Sequence, residues 1–289
     1  MIDQHIKPYL GDKQLRFLKT TEIQRFYQIL KVSGRKTPSK KYGKGLADSN
    51  VRKIHSLLHA ILDSAVKSRL IPSNPCKGTA VPKCNYPPKR ILTDDELDRF
   101  MEAIQKEPLW YDFFYTEITT GLRRGEICGL KWDDLNFETG KLSIKRSINA
   151  IRGKDVNVGE TKTEKGKREI LLPPSTLHLL KDKAENAVSP WIFPSLFDQR
   201  LPIAPNSAYQ KLKDILKEAD LPNIRFHDLR HTFATHALVS GVDAKTLSGI
   251  LGHTRASFTI DTYTHVTSDM HMKASEIVGN FVTDLFGGK

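Results

Sequence analysis

Nowhere in the 289 residues does an apolar run approach the roughly 18–20 residues needed to cross a bilayer. The opening stretch MIDQHIKPYLGDKQ carries no hydrophobic signal segment. Both absences point away from a membrane or secreted protein and toward a cytoplasmic one. Cysteine is scarce: Cys76, Cys84 and Cys128 are too few and too scattered for a disulfide framework. The KGTAVPK spacer between the first two leaves no CxxC pair to hold zinc. They read as reduced thiols. Asp133, Asp134 and Asp261 fall at no spacing that builds a carboxylate metal site, so neither a metal nor a cofactor is expected. What remains, 39% hydrophobic and 8% aromatic, is an ordinary globular composition. The chain is long enough for two domains with separate cores.

Acidic side chains are nearly missing from one region. Between Lys31 and Arg90 stand 14 Lys and Arg against only Asp48 and Asp63, so this segment carries the whole formal net charge of +12. The remaining basic and acidic residues balance. A basic block beside a neutral remainder is the footprint of a surface that grips a polyanion, whereas a solubilising surface mixes both signs. Lys40, Lys41 and Lys44 in the loop RKTPSKKYGKG, with Arg52 and Lys53 on the helix that follows, are the phosphate-contact candidates.

Hydrophobic periodicity makes the first segment helical. TTEIQRFYQILKVSG places Ile23, Phe26, Ile29 and Leu30 on one face, with Gly34 as a stop. DSNVRKIHSLLHAILDSAVKSRL reads as a longer helix capped by Asp48 or Ser49, burying Val51, Ile54, Leu58, Ile61, Leu62 and Ala65. Five prolines and no periodicity across 71–90 mark a linker region. TDDELDRFMEAIQKE then opens a second domain with a capping box from Thr93 to Glu96. A glycine break at Gly121 precedes a helix starting near Arg124. From 137 to 173 the period changes to two in KLSIKRSINAI, DVNVGETKT and KREILLP, with turns at RGKD and EKGK. The chain is therefore mainly α with a small antiparallel β-sheet. Its domains are expected at 1–84 and 92–267, joined by a linker at 85–91, with a C-terminal helix or tail over 268–289. That last segment spaces Met270, Ala274, Ile277, Phe281 and Leu285 as an amphipathic helix, packed at home or docked on a neighbour.

IRFHDLRHTFATHALVSG (224–241) raises the question of function. It puts His227 and Arg230 three apart, on one face at the start of a helix. Arginine is disfavoured at the positive end of a helix dipole unless an anion sits there, held by free backbone N–H groups. Taken singly, the other polar residues have plain structural explanations. Arg123 would be an exposed turn residue, Lys162 a solvent-facing hairpin lysine, His253 a cap after Gly252 and Tyr263 a half-buried core tyrosine.

Their order says more: TGLRRGE, then TKT in a hairpin, HDLRHT, LGHT, and a tyrosine ten residues beyond that last histidine. This set resembles the tyrosine recombinase (phage integrase) family over about 91–265, most like integrases of conjugative transposons and related phages. The resemblance implies a helical core-site-binding domain followed by a mixed α/β catalytic domain. It further implies cleavage and rejoining of DNA through a 3′-phosphotyrosine. Tyr263 matches the nucleophile, and Arg123 and Arg230 the pair that clamps the non-bridging oxygens. Lys162 matches the proton donor to the leaving 5′-oxygen. His227 matches the first position of His-x-x-Arg, His253 a further phosphate donor and Glu126 a carboxylate that orients the site. The chemistry suits them: a tyrosine with an ordinary pKa of ~10 needs cations or a base to lose its proton, and guanidinium forks fit equatorial phosphate oxygens. A covalent intermediate conserves the ester bond energy, so neither ATP nor metal is required.

The partners so implied are double-stranded DNA attachment sites, a homo-tetramer of sequentially active protomers on DNA, and an excision or bending accessory protein, with no membrane. Relatives carry an arm-binding domain ahead of HIKPYLGD, so the N-terminal domain reads as truncated. Arg124 is an added cation beside Arg123, and His231, about 100° from Arg230, reads as structural. Two alternatives stay open: a DNA-binding regulator with the same clamp and no chemistry, and a type IB topoisomerase-like relaxation.

Overall fold

The computed structural model describes residues 1–39, 43–84, 90–150, 156–160 and 167–252. Chain contacts divide it into two compact units, Met1–Pro88 and Lys89–Lys289. Lys40, Lys41, Lys162, His253, Tyr263 and the segment 268–289 lie outside the described residues.

In the first unit, a short helix α1 (Lys7–Leu10) precedes α2 (Thr20–Ser33) and α3 (Asp48–Lys67). Glu22 accepts the backbone N–H of Lys19 at the start of α2 (3.1 Å), and Gly34 caps its end. Ile23, Phe26, Tyr27 and Leu30 share a core with Val51, Ile54, Leu58, Leu62 and Ala65. Two expectations need correction. The cap of α3 is Ala47, and Asp48, the first helical residue, pairs with Lys31 at 3.0 Å instead. Ile61 is 38% exposed; at about 100° per residue it falls at the outer edge of the buried stripe, beyond Ile54 and about 100° from Leu62. The proline-rich stretch is also not linker from its start. Ile71 and Cys76 are buried, Cys76 acting as a small hydrophobe. Asn74 caps the turn Pro75–Gly78 and donates to the Asp63 carboxylate (2.7 Å) and the His59 carbonyl (3.0 Å).

The second unit opens with α4 (Asp94–Gln105), whose capping box is formed as expected: the Thr93 hydroxyl accepts from the Glu96 N–H (3.4 Å), and Glu96 from the Thr93 N–H (3.0 Å). The buried helix α5 (Tyr111–Thr120) packs against α4, against α7 (Pro174–Glu185) and against α9 (Phe226–Val239). It stops at Gly121 in the left-handed conformation, φ +59°. A Cβ there would lie 2.2 Å from the Phe233 ring, so this glycine is required twice over. The helix α6 (Arg124–Cys128) follows at once. Further on, α8 (Pro205–Glu218) packs on α4 and α6, and α10 (Ala244–Leu251) packs on α9.

Among the described residues the period-two region forms the expected small antiparallel sheet and a separate antiparallel pair of strands. β1 (Leu135–Asn136), β2 (Lys141–Ile144) and β5 (Arg168–Leu171) make a three-stranded sheet in the order β1-β2-β5. β3 (Arg146–Ala150) and β4 (Val156–Glu160) pair separately, Ile148 opposite Val158. KLSIKRSINAI is thus broken at Lys145. Arg146 turns its guanidinium onto the buried Asp134 carboxylate and the Gly129 carbonyl, which draws β3 away from β2 and against α6. The approach is close: a Cβ on Gly125 would sit 2.4 Å from the Ser147 hydroxyl and 2.5 Å from the Ile148 carbonyl oxygen. No helix among the described residues is long and apolar enough to cross a membrane.

Two glycine substitutions should move stability in opposite directions. Gly121→Ala meets both the positive φ and the Phe233 ring and should cost about 1–3 kcal/mol in denaturant unfolding. Gly249→Ala, inside α10 with open space around its Cβ, should gain about 0.5–1 kcal/mol. A Gly121→Ala protein as stable as the wild type would refute the close approach of α5 and α9.

Candidate active site

Arg123 is the N-cap residue of α6, the first position after the left-handed stop that Gly121 imposes and the buried Leu122. One turn on, Glu126 accepts the Arg123 backbone N–H (3.0 Å) with one oxygen and the Arg123 Nη1 (2.7 Å) with the other. Glu126 is buried and meets a second arginine from the sheet. Arg168, at the start of β5, donates Nη2 to Glu126 Oε2 (2.8 Å) and Nη1 to Oε1 (3.2 Å). Burial pushes this carboxyl up, but the Arg168 hydrogen bonds and the charges of Arg168 and Arg123 outweigh it and hold it down at about 2. Glu126 is therefore a fixed anion between two guanidinium groups.

The same two arginines, together with Arg230, close the end of α10. Arg168 Nε donates to the Ile250 carbonyl (2.7 Å), Arg230 Nη2 to Leu251 (2.5 Å) and Arg123 Nη2 to Gly252 (3.0 Å). Three successive carbonyls at a helix C-terminus, the end that carries partial negative charge, are taken by three cations from three elements. Arg230 is 1% exposed and also donates Nη1 to the Gly121 carbonyl (2.9 Å), joining the end of α5 to the end of α10. Gly252 adopts φ +63°, and a Cβ there would press within 2.9 Å of the Arg168 guanidinium. His253 is the next residue in the sequence.

The start of α9 carries an anion of its own. Asp228 occupies that end with its carboxylate, accepting the Arg225 N–H (2.8 Å) and the Arg225 guanidinium (3.1 Å). Its charge satisfies the helix dipole from within the chain. His227 is exposed in the first turn, and the buried His231 ring stands edge-on to it, centroids 4.7 Å apart. Arg123 and His227 line one cleft of about 800 Å³, together with Arg124, Asn206, Tyr209 and Arg225. Arg124 lies over the Tyr209 ring at 5.8 Å. In the first unit, Lys44, Arg52 and Lys53 are exposed.

Sequence reasoning missed two groups. Arg168 reads locally as a strand residue, and nothing in its spacing ties it to Arg123. Glu117, on α5, was detectable as an acid inside the apolar run FFYTEIT. It is fully buried, and neither carboxylate oxygen has a hydrogen-bond partner among the described residues. Burial pushes its carboxyl well above the ordinary range; nearby Arg230 opposes that shift and Glu126 adds to it.

The profile of the phage integrase family matches residues 90–270. The chain belongs to this family, the tyrosine recombinases. It is 27% identical over 308 residues to a XerC-like tyrosine recombinase of Caldanaerobacter subterraneus subsp. tengcongensis, covering 96% of this chain and 76% of that one. It is 26% identical over 276 residues to the ICEBs1 integrase of Bacillus subtilis, covering 92% and 72%. Among solved structures, the Tn1549 transposon integrase in complex with transposon right end DNA superposes with a TM-score of 0.78 at 21% identity, covering 96% of this chain and 92% of that one. At that identity the likeness speaks for the fold, which is that of tyrosine recombinase catalytic domains. The integrase motif TGLRRGE thus carries its arginine on a carboxylate-braced helix start, in a family of DNA strand transferases.

Burial of Glu117 in this recombinase has a pH signature. Its raised pKa means the folded state holds the proton. The stability this implies is complete below the ordinary carboxylate range and is lost as pH rises through and beyond it. Glu117→Gln should therefore raise the thermal midpoint over the wild type, with a gain that grows from pH 5 to pH 8. An equal or falling difference across that range would refute the buried neutral carboxyl.

Proposed function

We propose that this recombinase cuts and rejoins duplex DNA at the attachment sites of a mobile element, with Tyr263 as nucleophile. The Tyr263 oxygen attacks the scissile phosphorus, the bond from phosphorus to the 5′-oxygen breaks, and the leaving 5′-oxygen takes a proton from Lys162. A 3′-phosphotyrosine and a free 5′-hydroxyl result. Attack by a 5′-hydroxyl of the partner strand reverses the step and returns the tyrosine. Arg123 and Arg230 neutralise the charge on the non-bridging oxygens, His227 assists proton transfer at the tyrosine, and His253 donates to the phosphate.

The observation that carries this reading is the cleft that Arg123 shares with His227, its guanidinium braced by an ionised Glu126. Such a donor is set before substrate arrives, so little reorganisation is left for the reaction itself. The first unit, with its excess of Lys and Arg, is assigned to core-site binding through Lys40, Lys41, Lys44, Arg52 and Lys53. The helix over 268–289 is assigned to docking on a neighbouring protomer within a tetramer on DNA. A lambda integrase tetramer bound to a Holliday junction, with a TM-score of 0.62 at 21% identity, supports that assembly. Catalysis takes place in the cytoplasm, with an excision or bending protein as accessory partner.

The test is covalent trapping on nicked suicide duplexes carrying candidate attachment sequences, resolved on a denaturing gel. Wild-type protein should give a shifted protein–DNA band, Tyr263→Phe none, and Arg123→Ala a rate lower by about two to three orders of magnitude. Tight, salt-dependent binding without any covalent band would favour the non-catalytic regulator. Relaxation of supercoiled DNA without sequence preference would favour the topoisomerase.

A further inference from the structure

We infer that Arg168 is a positioning residue of the recombination site: through Glu126 and the Ile250 carbonyl it sets the geometry of Arg123 and of the end of α10. This rests on the function proposed above. Three observations carry it. The Arg168 side chain is 8% exposed, so it is not a surface cation facing solvent. All three of its guanidinium nitrogens are engaged, Nη1 and Nη2 on the two oxygens of Glu126 and Nε on Ile250. One of its partners holds Arg123 directly and the other lies beside a group that does: Glu126 binds the Arg123 backbone and side chain, and Ile250 stands two residues before Gly252, whose carbonyl accepts from Arg123 Nη2. Arg168 thereby ties β5, α6 and α10 into one rigid frame. A lysine cannot reproduce this, because an ammonium lacks the planar fork that spans a carboxylate while a third nitrogen reaches a carbonyl.

The fork also decides the charge of Glu126. Without Arg168, burial is opposed only by Arg123, and the Glu126 carboxyl titrates at higher pH. A protonated Glu126 keeps one oxygen fewer for Arg123 and releases its guanidinium from the orientation it holds in the cleft. The effect of Arg168 therefore belongs to the rate of the covalent step rather than to DNA affinity, since it lines no part of the cleft that Arg123 shares with His227.

The experiment uses the full chain and nicked suicide duplexes, measuring the single-turnover rate of phosphotyrosine formation at saturating protein, duplex affinity by titration, and thermal midpoints. Arg168→Gln should slow covalent trapping about a hundredfold while duplex affinity stays within about threefold. Arg168→Lys, the variant more certain to fold, should fall between the two. The rate of either variant should be lost on the acid side at a higher pH than that of the wild type, which a purely structural arginine would not cause. In a double-mutant cycle, Arg168→Gln and Glu126→Gln together should cost no more than the costlier single change. The inference is overturned by variants that cleave at the wild-type rate, by losses confined to affinity, by an unmoved pH profile, or by additive costs in the cycle. If the wild-type protein itself forms no covalent product, the function proposed above fails and this inference goes with it.

Discussion

A single buried carboxylate organises the structure around Arg123. Glu126 stands between Arg123 and Arg168, and the two guanidinium groups hold it ionised against the cost of burial. The interaction is reciprocal. Two cations that would repel each other across one small volume are brought together by the anion between them, and each then has nitrogens left over for backbone carbonyls. Those carbonyls belong to the last turn of α10, where the helix has unsatisfied acceptors. Frame and site are thus one network, in which removing any member leaves a buried charge or a buried acceptor unpaired.

The network explains why distant segments of the chain meet. α5 ends at Gly121, and the carbonyl it leaves there is taken by Arg230 from α9. α10 ends at Gly252, and its last carbonyls are taken from β5, α9 and the start of α6. Both helices stop in the left-handed conformation against a packed side chain, Phe233 in one case and Arg168 in the other. Glycine is needed at both places because the approach leaves no room for a Cβ. The ends of α5 and α10, at Gly121 and Gly252, are therefore held by arginines of one network.

Local patterns were readable in most places where local physics decides the outcome, the cap of α3 excepted. The start and stop of α2, the Thr93–Glu96 capping box, the glycine break before α6 and the start of α9 all follow from caps and periodicity within a few residues. Arg123, Glu126, His227 and Arg230 could be picked out because ordered motifs carry them. Arg168 could not, since its importance lies in contacts with α6 and α10 that no periodicity encodes. The break at Lys145 was hidden for the same reason: an unbroken period-two run gives no sign that Arg146 will turn toward Asp134.

The ionised state of Glu126 is what holds Arg123 and Arg168 together. Carbon-13 NMR of side-chain carboxyl groups in glutamate-labelled protein, with Glu126→Gln to assign the signal, measures it directly. The Glu126 carbon should hold its ionised chemical shift from pH 7 down to pH 4, consistent with a pKa of about 2. A titration centred near the ordinary glutamate value of 4.5 would mean that the two arginines do not hold it, and the clamp described here would not exist.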